Sequence, residues 1–196
     1  FTGGARGEES ACAMAIRAPE IQFSVSLGTN VSRDRVDAAR QIIAGYEGVT
    51  QVEYPHRTAL VMSDVLTGYI DELVEQLTLQ TGAQYQFVGG GAGDDARFSR
   101  THVFCGTRAY TDAAVSLEIL SKKPVGIGVS HGWVPAGDPY RVTEAEGLRL
   151  ISLNALPVAE VFEEHARKTG QSFDPHKPLP FFLHNILGIQ TQRGYR

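Results

Sequence analysis

Residues 89–95 read GGGAGDD and follow an apolar stretch, Gln84-Tyr85-Gln86-Phe87-Val88, that reads as a strand. A glycine cluster after a strand invites comparison with phosphate-binding loops, whose bare backbone N–H groups cradle anionic oxygens. Such a loop needs a lysine and a serine or threonine directly after its last glycine, because the lysine contacts the terminal phosphates. Asp94 and Asp95 stand in those places, and two carboxylates repel a phosphate. The dinucleotide fingerprint also fails: counted from Gly89 and Gly91 it wants a small residue at 94, and a helix should follow. Instead DDARFSRTHVF leads within a few residues to a strand. Two readings remain open. In one, the glycines permit positive φ and close backbone packing. In the other, backbone N–H groups from Gly90 through Gly91 to Gly93, with the carboxylates of Asp94 and Asp95, face a small zwitterion or a cation.

The other reactive side chains are sparse. Of six histidines, His56, His102, His131, His165, His176 and His184, no two are three or four residues apart, and there is neither an HExxH nor a CxxC. A dedicated metal site is therefore not expected. No GxSxG is present, and Ser130 and His131 are adjacent, which on a strand turns them to opposite faces. Cys105 reads as a buried, inert thiol unless a histidine lies beside it. Haem needs only one histidine on an apolar surface as its proximal ligand, which leaves His131 or His102 as candidates. GIGVSHGW (126–133 in its glycine-bearing part) places Gly126, Gly128 and Gly132 in one apolar run ending at Trp133, the single tryptophan. Glycines weaken a strand interior, so they mark bulges or a close approach of ligand or backbone.

These groups must be positioned by mixed elements. Segments 10–17 and 20–27 read as strands, the second with Ile21, Phe23, Val25 and Leu27 on one face. Ser32 opens a helix of about 14 residues that Gly48 stops. Segment 58–64 is a continuous apolar strand. Thr67 caps a helix carrying Ile70, Leu73, Val74 and Leu77, ended by Gly82. Segments 100–105, 109–120 and 125–133 read as a meander, and 140–153 as a pair of short strands. Pro157 starts a helix that runs to Gly170, and 174–180 is a loop. The expected fold class is α+β, with mixed and antiparallel sheets and helices packed on their outer faces.

Composition agrees with a globular chain: 196 residues, 42% hydrophobic and 20% charged, enough for a real core. A net charge of −4 favours neither nucleic acid nor an anionic membrane. No apolar run approaches the roughly 20 residues that span a bilayer. Two cysteines suit a reducing cytosol. The start at Phe1 and the end at Arg196 suggest a fragment of something longer, whose missing strands would expose sheet edges and invite self-association.

VGGGAGDDARFSRTHVF, AYTDAAVSLEIL and GIGVSHGWVPAGDPYRVTEAEGLRLISLNALPVAEVFEEH, in that order, closely resemble FIST domain proteins. The resemblance runs from about residue 10 to beyond 165. It assigns residues 1–118 to the later part of the FIST N-terminal module and 125–196 to the start of the C-terminal module. Cys105 departs from the aromatic or histidine common there, and Asn154-Ala155 replaces a common Asp-Gly turn. The resemblance implies a cytoplasmic, non-enzymatic bacterial sensory domain. It would bind a small ligand, amino acids among the suggestions, and signal to a histidine kinase, a cyclase or another output. Some relatives are described as haem-binding nitric oxide sensors, which is the alternative function; a protein-interaction module, as in the F-box relatives, is another. On the sensor reading the ligand lies between the two glycine-rich stretches, against Gly90, Gly91, Gly93, Asp94, Asp95, Ser130, His131 and Trp133.

Overall fold

The computed structural model describes residues 15–51, 53–191 and 194–195. It divides into two compact units, one reaching to Val129 and the other starting at Ser130.

The first unit runs β1 (Ile21–Thr29), α1 (Arg35–Ala44), β2 (His56–Asp64), a 3-10 turn (Val65–Thr67), α2 (Ile70–Gln80), β3 (Gln86–Ala92), β4 (Val103–Cys105), β5 (Arg108–Tyr110) and β6 (Ala113–Ser121). Four strands form one mixed sheet in the order β1-β6-β2-β3. β6 is antiparallel to both β1 and β2, and β3 is parallel to β2 through the α2 crossover. The carboxyl ends of β1, β2 and β3 therefore share one end of the sheet with the start of β6. β4 and β5 form a separate hairpin that packs against β1, β2 and β6.

Side-chain alternation decides where the core lies. α1 and α2 cover the sheet face that carries Ala59, Val61, Ala114 and Leu120, closing over Val31, Ala38, Ala39, Ile42, Leu73 and Leu77. Each fully buried Leu or Ile contributes roughly 1.5–3 kcal/mol. On β1 this face holds the small residues Ser26 and Gly28, so α1 comes close: a Cβ at Gly28 would stand 2.6 Å from the Ala38 carbonyl oxygen. The apolar set of β1 is on the opposite face, where Val25 is 57% exposed.

The helix-covered face also buries a carboxylate. Glu118, fully buried on β6, accepts hydrogen bonds from Ser24 Oγ (2.6 Å), the backbone N–H of Glu47 (2.8 Å) and of Gly48 (3.0 Å), and the Tyr85 hydroxyl. Four donors to one carboxylate replace the water it loses. Tyr46 stacks on Tyr85 with centroids 5.0 Å apart, and its hydroxyl shares a 2.6 Å hydrogen bond with Ser116.

The second unit contains β7 (Val142–Glu146), β8 (Arg149–Leu153), β9 (Leu156–Pro157), α3 (Val158–Thr169), a short α4 (Leu179–Phe182), β10 (Gln190–Thr191) and β11 (Gly194–Tyr195). β7, β8 and β9 form an antiparallel sheet against which α3 packs. Phe162, Phe173, Phe181 and Phe182 cluster beside it, with ring centroids 4.9 Å apart for Phe162 and Phe182. Gly170 closes α3 at φ 68°, the left-handed conformation that glycine adopts without strain.

The α+β class expected from the sequence is present, with several local corrections. Most of the strand expected at 10–17 lies outside the described residues. α1 is capped by Asp34, whose side chain accepts the Asp37 N–H at 2.9 Å, and not by Ser32. It ends at Gly45, earlier than Gly48. Tyr69, at φ 51°, occupies the N-cap of α2, and Thr67 instead donates to the Asp64 carbonyl. β6 lies between β1 and β2, so the later strands are no meander. Residues 124–141 form no strand.

Candidate functional site

The glycine stretch does not follow β3; it is β3. The strand continues through Gly89, Gly90 and Gly91 to Ala92, paired in register with Val61 to Asp64 of β2. The four glycines of this stretch have different reasons to be glycine. A Cβ at Gly89 would stand 1.8 Å from the Val61 carbonyl oxygen, and one at Gly91 would stand 1.9 Å from Val65 Cγ1. At Gly89 the obstacle is backbone, which cannot give way; at Gly91 it is the side chain of Val65. Gly90 and Gly93 have nothing within 4 Å of the place a Cβ would take. Met62, opposite Gly90 on β2, is 42% exposed beside this bare backbone. As the last strand of the four, β3 has one edge without a neighbour in the sheet, so alternate residues turn N–H and C=O outwards.

The loop after β3 is held by one aspartate. Asp94 Oδ1 accepts the Phe98 N–H at 2.9 Å. Its Oδ2 accepts the N–H groups of Ser99 (2.7 Å) and Arg100 (3.0 Å) and the Ser99 hydroxyl (3.3 Å). Hydrogen bonds from the Arg100 and Ser99 backbone, with lesser help from Phe98 and the Ser99 hydroxyl, favour the ionised form and lower its pKa to about 2. Asp95 is exposed and makes no hydrogen bond or ion pair among the described residues. Asp95, Ala96 and Phe98 have φ of 57°, 59° and 51°, left-handed values that cost a non-glycine residue free energy. The Asp94 hydrogen bonds offset that strain.

A second carboxylate ties the far end of the loop to the strand ends. Asp64, 5% exposed at the end of β2, accepts the Thr101 hydroxyl and the Leu66 N–H (3.1 Å) on Oδ1, and the Asp112 N–H (2.8 Å) on Oδ2. Asp112, at φ 49°, in turn accepts the Ser32 N–H (2.6 Å) and hydroxyl (2.8 Å) on its carboxylate. Its carbonyl accepts the Val31 N–H at 3.2 Å.

Gly90, Gly91, Gly93, Asp94 and Asp95 thus come together at one end of the first sheet. Ser130, His131 and Trp133 belong to the second unit, in a stretch without regular structure. There the Trp133 N–H donates to His131 Nδ1 at 3.3 Å. Val129 and Val134, on either side in sequence, are 86% and 80% exposed. His102 is half-buried just before β4, and Cys105 ends that strand partly exposed. Among the described residues no three His, Cys, Asp or Glu side chains gather as a metal site. Asp64, Thr101, Asp112 and Ser32 were missed by sequence reasoning; the closing Asp of the apolar run TALVMSD, a charge where a buried strand ends, is the one signal that pointed to them.

The profile of the FIST N domain matches residues 1–156, past the division between the two units. A search of curated proteins finds no match. No helix among the described residues is long and apolar enough to cross a membrane. With four-fifths of its length matched, the chain belongs to the FIST N domain family, a family of sensory domains in signal transduction.

Proposed function

We propose that the first unit senses a small zwitterion or amine bound over the bare backbone at the end of β3. One observation carries this reading: Gly90 in β3 and Gly93 just after it are glycine where packing does not ask for it, whereas a side chain at Gly89 would strike the Val61 backbone. A glycine inside an element costs roughly 0.5–1 kcal/mol relative to alanine, so an unforced one needs another use, and close approach of a ligand is such a use. Asp95, exposed and without a hydrogen bond or ion pair among the described residues, supplies the carboxylate for an ammonium group. Outward N–H groups of the β3 edge and of Gly93 receive a carboxylate. Asp94 does not touch the ligand in this scheme; it holds the loop that presents Asp95. The amino acid class, the cytoplasmic setting and the relay to a separate output domain or kinase belong to the same proposal, and membership of a sensory family supports them. Binding would act by shifting the population of loop conformations. Thermal-shift screening of the intact chain with the free amino acids and simple amines tests it. A dose-dependent rise in melting temperature for one class is expected; a flat response to every compound overturns it.

A second reading, an interaction module, draws on the sheet face away from α1 and α2. Its central positions, among them Phe23, Val25, Leu27, Leu60, Met62, Leu117 and Ile119, carry no charge, and Val25 and Met62 are exposed. An uncharged face matches a second copy of itself. Sedimentation decides it: association that Val25→Lys abolishes supports this reading, and a monomer at high concentration removes it.

A further inference from the structure

We infer that Asp64 and Asp112 couple the loop after β3 to the start of α1, so that release of one end loosens the other. This deepens the proposed function, since the loop is the one that presents Asp95.

The connection is continuous and made of named groups. Asp94 binds the backbone from Phe98 to Arg100. The next residue, Thr101, is 3% exposed and gives its hydroxyl to Asp64. Asp64 holds the Asp112 N–H at 2.8 Å. Asp112 holds Ser32 by two hydrogen bonds and Val31 by its carbonyl. Val31 is fully buried in the core beneath α1 and α2. Ser32 precedes the Asp34 cap of α1 by two residues.

Two features make this a latch. First, Asp95, Ala96, Phe98 and Asp112 all hold left-handed φ without being glycine, so the segment is strained at both ends and relaxes if its clamps let go. Second, Asp64 is buried with every bond directed to a different segment: the turn after β2, the loop end and the start of β6. A buried acceptor that loses one donor must be satisfied again, so its partners do not move independently. A ligand that rearranges the loop at Asp95 thereby changes how firmly Val31 and Ser32 are held.

Hydrogen exchange on the intact chain tests the coupling without any ligand, so it can fail while the ligand reading stands, and the reverse. Asp94→Ala removes the first clamp and speeds exchange at Phe98, Ser99 and Arg100 whatever else is true. The coupling predicts that Val31, Ser32 and Asp112 amides also exchange faster, by about fivefold or more, while Leu73 and Leu77 in α2 keep their protection. It further predicts that in an Asp64→Asn background Asp94→Ala no longer changes Val31 and Ser32. Faster exchange confined to 98–100, or spread equally through α2, overturns the latch; so does an undiminished effect in the Asp64→Asn background.

Discussion

Asp94 and Asp95 are neighbours with opposite employment: the first carboxylate accepts four hydrogen bonds from its own loop, and the second accepts none among the described residues. A paired-aspartate motif thus separates into a residue that shapes the loop and one that the loop displays. The left-handed φ of Asp95 sets that display, since it turns the chain immediately after the residue whose side chain fastens it.

The fastening has a pH signature. Asp94 titrates near pH 2 in the fold, against 3.8 when unperturbed. Its contribution is complete above the unperturbed value and is lost as pH falls through about 2. Amide resonances of Phe98, Ser99 and Arg100 should therefore hold their positions down to pH 4 or so and move with a midpoint near 2. A midpoint at 3.8 would mean that the carboxylate is not bonded to the loop.

The glycines of β3 divide into two kinds, and substitution separates them. Gly89→Ala drives a Cβ into the Val61 carbonyl and should cost about 1–3 kcal/mol in urea unfolding. Gly90→Ala meets nothing and should raise stability by roughly 0.5–1 kcal/mol. Equal effects at the two positions would remove the distinction on which the ligand site rests.

Glu118 is the acceptor for four donors in the covered core. Glu118→Ala leaves those donors without a partner, and a loss of at least about 3 kcal/mol is expected from chemical denaturation. Tyr85→Phe removes a single donor and should cost only about 1 kcal/mol.

Tyr46 supplies an alkaline test of the same core. Burial, with a smaller push from the Glu118 charge and a partial offset by the Ser116 hydrogen bond, raises its pKa from 10 to about 12. The fold keeps the phenol protonated, so this contribution is present below pH 10 and is lost as pH rises towards 12. Tyrosinate absorbance should show a late-titrating component that Tyr46→Phe reduces, the rest coming from Tyr85, which burial and its hydrogen bond to Glu118 also push up.

Much of the framework was legible because it is local. Ile21 to Leu27, the run from 58 to 64, and the spacing of Ile70, Leu73 and Leu77 each declare their element by period. Which face of β1 meets the helices was not legible. Ser26 and Gly28 face α1 because small residues let the helix approach, while Val25 is turned away. Glycine is a poor strand former, so composition ends the strand at Val88, yet pairing with β2 carries it on to Ala92. The reverse held at 125–133, where alternating Val125, Ile127 and Val129 suggested a strand that no pairing supports among the described residues. Of the site, the stretch from Gly90 to Asp95 was visible as composition. The Thr101–Asp64, Asp112–Asp64 and Ser32–Asp112 contacts span 37, 48 and 80 residues and leave no local pattern.

The central claim, that a ligand with an ammonium group binds at Asp95, is tested most directly by calorimetric titration. The strongest stabiliser among the amino acids and amines is titrated into the unaltered chain and into Asp95→Asn, which keeps the size of the side chain and removes its charge. A charge-assisted hydrogen bond contributes about 1.5–3 kcal/mol, so the account predicts an affinity at least about tenfold weaker in the variant, with its melting temperature unchanged. Equal affinity in the two proteins would contradict it.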